Sequence, residues 1–371
     1  MKNKSLLVFF YGAVHFFASL TSVVVSATLI GISLPIAFLT TGLSTILFHV
    51  ITKHRIPSIN GISGSFVSVS VLVAAKFGLS DLFGAVIITG LAYILFGVVL
   101  YYRPNFFDFI PAYILNTCIV LVSLSLIPLG LNSITDPIMM LITLVAVVLF
   151  SLHPKFRLYA MPFALLIATL SQCLLPTNGF QIQIEPFHWT LPTFNLEAIL
   201  MLVLTGVAVL GEVLGDVRNL SRAAKRDIEK EVGISRILIG NGLSTLISGF
   251  LNGGSIATYS ESVGVVYATQ YRDSRAQIVA AFIYILLACS TKLMSLAAYI
   301  PVTALGVLLV YLFVTVFINT VTSYRLTSEN ERSVIILILT IFYLTPIFFP
   351  TISNIFIALV VGIIADKLLR K

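Results

Sequence analysis

Charge is what this sequence has least of. Only 10% of its 371 residues are Asp, Glu, Lys or Arg, against 58% hydrophobic, and the mean hydropathy is +1.06. Soluble domains carry about 25% charged residues. A globular protein in water is therefore excluded, and a bilayer is the solvent for most of the chain. No polar stretch exceeds roughly two dozen residues, which leaves no room for a sizeable soluble domain. Cysteine is also scarce. Cys118, Cys173 and Cys289 each sit alone in an apolar run, without the spacing of a metal or redox site, so they read as packing residues. The net charge of +7 does not imply nucleic acid, because the basic residues flank apolar runs and form no basic face with interleaved aromatics.

What is abundant is apolar length. A helix needs about 20 apolar residues to cross the hydrocarbon. Such runs lie near 6–28, 32–52, 82–102, 109–131, 137–153, 158–176, 197–217, 235–251, 276–297, 301–320, 333–349 and 352–369. The first reads as a span that stays, since no small-residue cleavage site follows it. Two further stretches, near 58–77 and 253–270, are broken by glycine and serine. Counting both predicts fourteen crossings with both termini cytoplasmic. On that count Lys53, Arg55, Arg103, Lys155, Arg157, the cluster Arg218–Arg236, Arg272, Arg275, Arg325, Arg332 and the basic tail share the cytoplasmic face. Only Lys76 and Lys292 fall outside. The stretch from Pro176 to Asn195, with Phe187, His188 and Trp189, is expected to lie externally at the interface.

The chain also repeats itself. Thr41-Gly42-Leu43-Ser44-Thr45 returns as Asn241-Gly242-Leu243-Ser244-Thr245, the broken segment at Gly61–Phe66 returns at Gly254–Glu261, and Phe109-Ile110-Pro111 returns as Tyr299-Ile300-Pro301. Seven crossings per repeat is an odd number, so the second repeat enters the membrane upside down. The fold expected is thus an all-α polytopic membrane protein with a 7+7 inverted repeat, residues 1–178 and 179–371. Its two broken segments, the third crossing of each repeat, meet at midplane, carry short extended stretches and face a cavity.

Three acids lie inside spans: Glu212, Asp216 and Glu261. A charge at the bilayer centre costs about 3 kcal/mol or more, so such residues usually carry function. Glu212 and Asp216 are four apart and share a helical face, and Glu261 lies in the second broken segment. A structural role is also open to them: Asp216 has Arg218 and Arg222 nearby, whereas Glu261 has no basic residue within eight positions. His15, in the first span, is a coupling candidate or a packed histidine. Gly64 and Ser65 are small enough to let a ligand approach the backbone, and the ring of Phe66 beside them could stack on a flat ligand.

These residues resemble a family. Glu261, Gly264 and Thr269 match the signature of the nucleobase–ascorbate and uracil/xanthine permeases (nucleobase:cation symporter-2), with Ser262 in place of Asn and Gln270 in place of a basic residue or glycine. Glu212-Val213-Leu214-Gly215-Asp216 is similar to the eighth helix of the xanthine branch, while Glu261 is the residue of the uracil branch. His15 and Phe66 match the histidine of the first helix and the aromatic of the third.

The resemblance implies a core domain of crossings 1–4 and 8–11 moving against a gate of crossings 5–7 and 12–14. It implies import of uracil or a xanthine-type purine by proton symport, with no cofactor beyond the co-transported H⁺, Na⁺ remaining an alternative. Substrate binding falls to Glu212, Glu261, Ser260 (in place of a glycine), Phe66, Ser65 and Gly64, and coupling to Asp216, Glu261 and His15. No metal site is expected. The expected partners are the base and the lipid of the cell membrane, with a homodimer left open and nucleic acid excluded. An anion or bicarbonate carrier of the sulfate-permease type shares this architecture, but acids at midplane would repel an anion. An intramembrane enzyme built on Asp216 and Glu261 would leave the repeat unexplained, so no enzymatic activity is expected.

Overall fold

The structure is a computed structural model that describes residues 2–103, 111–154, 156, 159–174, 189–290, 299–323, 328–348 and 354–369. The side chains of Glu212 and Cys118 lie outside what is described, as do His188 and Lys292. Fifteen α-helices and two short strands are seen among the described residues. The first seven helices are α1 (Lys2–Ile30), α2 (Leu34–Ile51), α3 (Val67–Phe77), α4 (Leu79–Tyr102), α5 (Ala112–Asn132), α6 (Pro137–Leu152) and α7 (Ala160–Leu174). Then come α8 (Leu196–Ala224), a short α9 (Ile228–Val232), α10 (Ile234–Phe250), α11 (Ser260–Thr269), α12 (Arg275–Ala288), α13 (Val302–Ser323), α14 (Glu329–Phe348) and α15 (Asn354–Leu369). Strand β1 (Asn60–Ile62) precedes α3 through a 3₁₀ turn at Gly64–Phe66, and β2 (Ile256–Thr258) precedes α11.

Among the described residues, five helices are long and apolar enough to cross a membrane: Ser5–Ile30, Leu34–Ile51, Leu79–Tyr102, Leu196–Ala224 and Val302–Thr322. Helix starts follow local chemistry. Asp136 accepts from Ile138 N and Met139 N ahead of Pro137, and Asn195 accepts from Glu197 N and Ala198 N to open α8. The stretch 189–195 before it is non-helical. Trp189 Nε1 donates to Phe250 O at 2.9 Å and Thr193 Oγ1 to Asp81 Oδ1 at 2.6 Å, pinning this stretch across α10 and α4. At the other ends of α8 and α10, exposed pairs join Arg218 to Glu229 and Arg226 to Glu231. The hydrogen bond from Arg226 holds the Glu231 carboxyl below its ordinary range.

The two broken segments become one structure. Asn60 pairs with Thr258, Gly61 with Ala257 and Ile62 with Ile256, antiparallel and fully buried. Ser63 N donates to Ser255 O at 2.8 Å and Tyr259 N to Ile59 O at 3.0 Å, extending the ladder at both ends. On the outer edge of each strand a threonine satisfies both backbone groups of one residue. Thr45 Oγ1 donates to Asn60 O at 3.1 Å and accepts from Asn60 N at 3.0 Å. Thr245, the residue matching Thr45 in the sequence repeat, does the same for Ile256 at 3.1 and 3.0 Å.

Packing follows two groups. In one, α4 lies on α10, α2 on α12 and α10, and α1 on α12; in the other, α5 lies on α13, α6 on α7 and α14 on α15. Close approach in the first group depends on glycine. A Cβ on Gly242 would stand 2.7 Å from Ile94 N and 2.8 Å from Gly90 O, and one on Gly90 would stand 2.5 Å from Leu246 N. Without a hydrophobic drive between helices, such small-residue contacts are what hold spans together.

Gly242→Val therefore forces two backbones apart and is expected to cost about 1–3 kcal/mol, read as a lower melting temperature in detergent. Gly215→Ala, where nothing lies within 4 Å, should melt no lower than the parent. Equal melting of Gly242→Val and the parent would refute the α4–α10 contact.

Candidate functional site

Pairing β1 with β2 leaves α3 and α11 starting inside the protein, and both starts line one cavity. Gly64 and Ser65 reach it from the α3 side, and Thr258, Ser260 and Glu261 from the α11 side. Tyr259, which precedes α11, gives it no side-chain cap; Ser262 N instead donates to Tyr259 O at 3.1 Å. The opposite wall comes from α1, α7 and α13. Ser22 and Ser26 contribute hydroxyls, and Met161, Leu308 and Phe313 contribute apolar surface. The free space is about 60 Å³.

A second cavity of about 960 Å³ adjoins the first. Glu261 and Met161 line both, and the larger one extends past Tyr267 and Tyr311 to Asn219 and Arg222 on α8. Glu261 thus stands where a wide vestibule narrows to a tight chamber. Ser22 Oγ donates to Glu261 Oε1, linking α1 to α11. Ser260 Oγ donates to Asp216 Oδ1 at 2.7 Å, linking α11 to α8.

The structure brings together four of the sequence candidates around the chamber: Gly64, Ser65, Ser260 and Glu261. Asp216 joins them through Ser260. Glu212 lies one turn before Asp216 on α8, its side chain outside the described residues. His15 and Phe66 are placed elsewhere. His15 is buried, with Nε2 2.7 Å from Gln277 Nε2 on α12, and does not line the chamber. Phe66 is wholly buried, its ring 6.4 Å from that of Tyr93 in an edge-to-face contact, and it does not line the chamber. The aromatic ring at the chamber is Phe313 of α13, so close to Gly64 that a Cβ there would meet it at 3.1 Å.

Sequence reading missed Phe313, Ser22, Ser26 and Thr258. A signal for the serines was present: His15, Ser19, Ser22 and Ser26 are spaced four, three and four apart, one polar face along an otherwise apolar α1. Ser19 on that face meets the Tyr284 hydroxyl at 2.8 Å. Ser262, which departs from the family signature, has a structural task, since its hydroxyl accepts from Ile59 N at 3.0 Å just before β1. No group of three or more His, Cys, Asp or Glu suited to a metal occurs among the described residues.

Comparison with known proteins places this geometry. The family profile described as Permease family (xanthine/uracil permease) matches residues 7–355. The uracil permease of Escherichia coli (strain K12) is 27% identical over 314 residues, 79% of this chain and 73% of that one. The uracil permease of Paenibacillus larvae is 26% identical over 323 residues, 81% of this chain and 77% of that one. Among solved structures, the transmembrane domain of the cyanobacterial bicarbonate transporter BicA superposes with a TM-score of 0.71 and 16% identity over 96% of both chains. At that identity the likeness is one of fold.

The Ser22–Glu261 bond can be tested without a ligand. Ser22→Ala leaves a partly buried carboxylate one donor short and should cost about 1–3 kcal/mol, seen as a fall in melting temperature that Ser22→Thr avoids. No fall with Ser22→Ala would mean that the bond is not made.

Proposed function

The chain belongs to the xanthine/uracil permease family, and from that premise we propose that it imports a nucleobase, uracil or a xanthine-type purine, by proton symport. It is an integral membrane transporter and not an enzyme. The observation that carries the reading is Glu261, an acid on the second broken helix, facing the chamber at the narrow end of a vestibule. A carboxylate beside serine hydroxyls at a helix start offers acceptors and donors to the N–H and C=O edge of a planar base. A neutral base needs that edge read in full, because polar groups left unpaired in a dry site are costly.

The same reading orders the architecture. Fourteen crossings in a 7+7 inverted repeat would make the paired strands and their threonines the two halves of one symmetric unit. The group around α2, α4, α10 and α12 is the core, and the group around α5, α7 and α13 the gate. The chamber lies between them, so core and gate must separate to admit a base to a space of about 60 Å³. With the basic loops cytoplasmic, the vestibule reaching Arg222 opens inward. Asp216 and Glu261 are the coupling acids. A proton moving inward gains about 2.3 kcal/mol per 100 mV, enough to concentrate a neutral base about fiftyfold.

The fold is shared with a bicarbonate transporter, which favours an anion carrier as the second reading. The charged side chain on the chamber wall is nevertheless an acid, with no Lys or Arg there among the described residues. Proteoliposomes separate the readings. Labelled uracil or xanthine should accumulate when the outside is acid, and Glu261→Gln should abolish accumulation while retaining some exchange. Accumulation by Glu261→Gln with parental dependence on the gradient would remove Glu261 from coupling. Gradient-driven uptake of bicarbonate or sulfate, with none of any base, would establish the anion reading instead.

A further inference from the structure

Ser260 and Asp216 meet from different elements. Ser260 is the first residue of α11 and faces the chamber, while Asp216 is partly buried on α8 and receives the serine hydrogen at 2.7 Å. A serine hydroxyl has one hydrogen to give and two lone pairs to receive. An ionised carboxylate only accepts, so while Asp216 is charged that hydrogen is committed to it. A protonated carboxyl brings a hydrogen of its own, can donate it to Ser260 Oγ, and leaves the serine hydrogen unclaimed.

We propose that Ser260 is a proton-gated donor of the binding site: protonation of Asp216 turns its hydroxyl from the acid to a ring carbonyl of the bound base. The proposal rests on the nucleobase reading and adds to it the residue that links ion to substrate. Uptake of the proton at Asp216 and binding of the carbonyl then each favour the other, by the same factor in both directions. The proton stays on the Asp216 carboxyl throughout, and no bond other than hydrogen bonds changes.

Neighbouring charges set where Asp216 titrates. On α8 these are Glu212, one turn away, and Arg218 and Arg222 beyond, Arg218 being paired with Glu229 of the α9 segment at 3.3 Å. Glu261 on α11 is bonded to Ser22. Tyr267 on α11 is exposed, and Tyr101 and Tyr102 at the end of α4 are exposed and contact each other; several other titratable groups on the elements packed against α8 have named partners. Lys76 on α3 pairs with Glu197, Tyr93 on α4 donates to Gly206 O at 3.0 Å, and Tyr113 on α5 donates to Asp366 on α15 at 2.6 Å. Asp81 at the start of α4 receives Thr193, and Lys230 and Glu231 of α9 pair with Asp227 and Arg226. Lys367 lies in the last turn of α15.

The test is base affinity against pH in the purified full-length protein, with uracil and xanthine as probes and the melting temperature of each variant as a check on folding. Parental affinity should weaken about tenfold as pH rises through the Asp216 titration, the value of about one hydrogen bond. Ser260→Ala should bind weakly with a flat pH profile, and Ser260→Thr, which restores the hydroxyl, should recover the slope. Asp216→Asn, whose amide can donate to Ser260 permanently, should bind tightly at every pH. A Ser260→Ala protein that keeps the parental slope overturns the gated donor while leaving the nucleobase reading intact. Failure of the parent to bind any base at any pH overturns that reading and this proposal together.

Discussion

A backbone amide in hydrocarbon has no water to bond, and each one left unpaired costs several kcal/mol. Two segments here give up the helix at depth, at Asn60–Ile62 and at Ile256–Thr258, and each has found the same remedy in the other. Three paired residues do not satisfy both edges of a two-stranded ladder. On the outer edges Thr45 bonds Asn60 and Thr245 bonds Ile256, each hydroxyl both giving and receiving, and the Tyr259 hydroxyl donates to Ile62 O at 2.8 Å. Everything that makes a site depends on this arrangement, because a helix that starts in the middle of a membrane protein exposes free amides where an uninterrupted helix would have none.

The side chains around those helix starts follow the same constraint. Glu261 is tolerable because Ser22 reaches it from α1, and Asp216 because Ser260, among its partners, reaches it from α11. The two acids and their hydroxyl partners thereby link three helices, α1, α8 and α11, through groups that can reverse their donor direction without moving. Glycine supplies rigidity elsewhere: with Gly90 facing Gly242, α4 and α10 are locked closely enough for the strand pair to sit on a fixed frame. The chamber wall from α13 is different in kind, apolar and aromatic at Leu308, Leu312 and Phe313, a surface that can part from the polar wall without leaving a charge unpaired.

Much of this was legible in the residues. Broken hydrophobicity at Gly61–Phe66 and Gly254–Glu261 located both strands, because glycine and serine in an apolar run cost helix and have few other uses. An acid in such a segment, Glu261, drew attention to the part of the chain that lines the chamber, because burial makes a charge expensive. What could not be read depended on partners distant in sequence. Phe66, an aromatic beside a glycine, is expected from the sequence to face the ligand, yet its ring packs against Tyr93 and Gly206, and Phe313, one of 27 phenylalanines, lines the chamber. His15 shares a helical face with Ser22, but Gln277 on α12 claims its ring. Ser260 looked like a departure from a family pattern, and only the fold shows which acid its hydroxyl meets.

The central claim is that a base sits between the starts of α3 and α11. Ser63 lines that chamber, and a cysteine there, with Cys118, Cys173 and Cys289 replaced, reports on occupancy through its rate of alkylation. Uracil or xanthine, whichever the protein transports, should slow alkylation of Ser63→Cys in a concentration-dependent way, while uridine leaves it unchanged. A transported base that leaves the Ser63→Cys rate untouched at saturating concentration would place the substrate elsewhere and contradict the account.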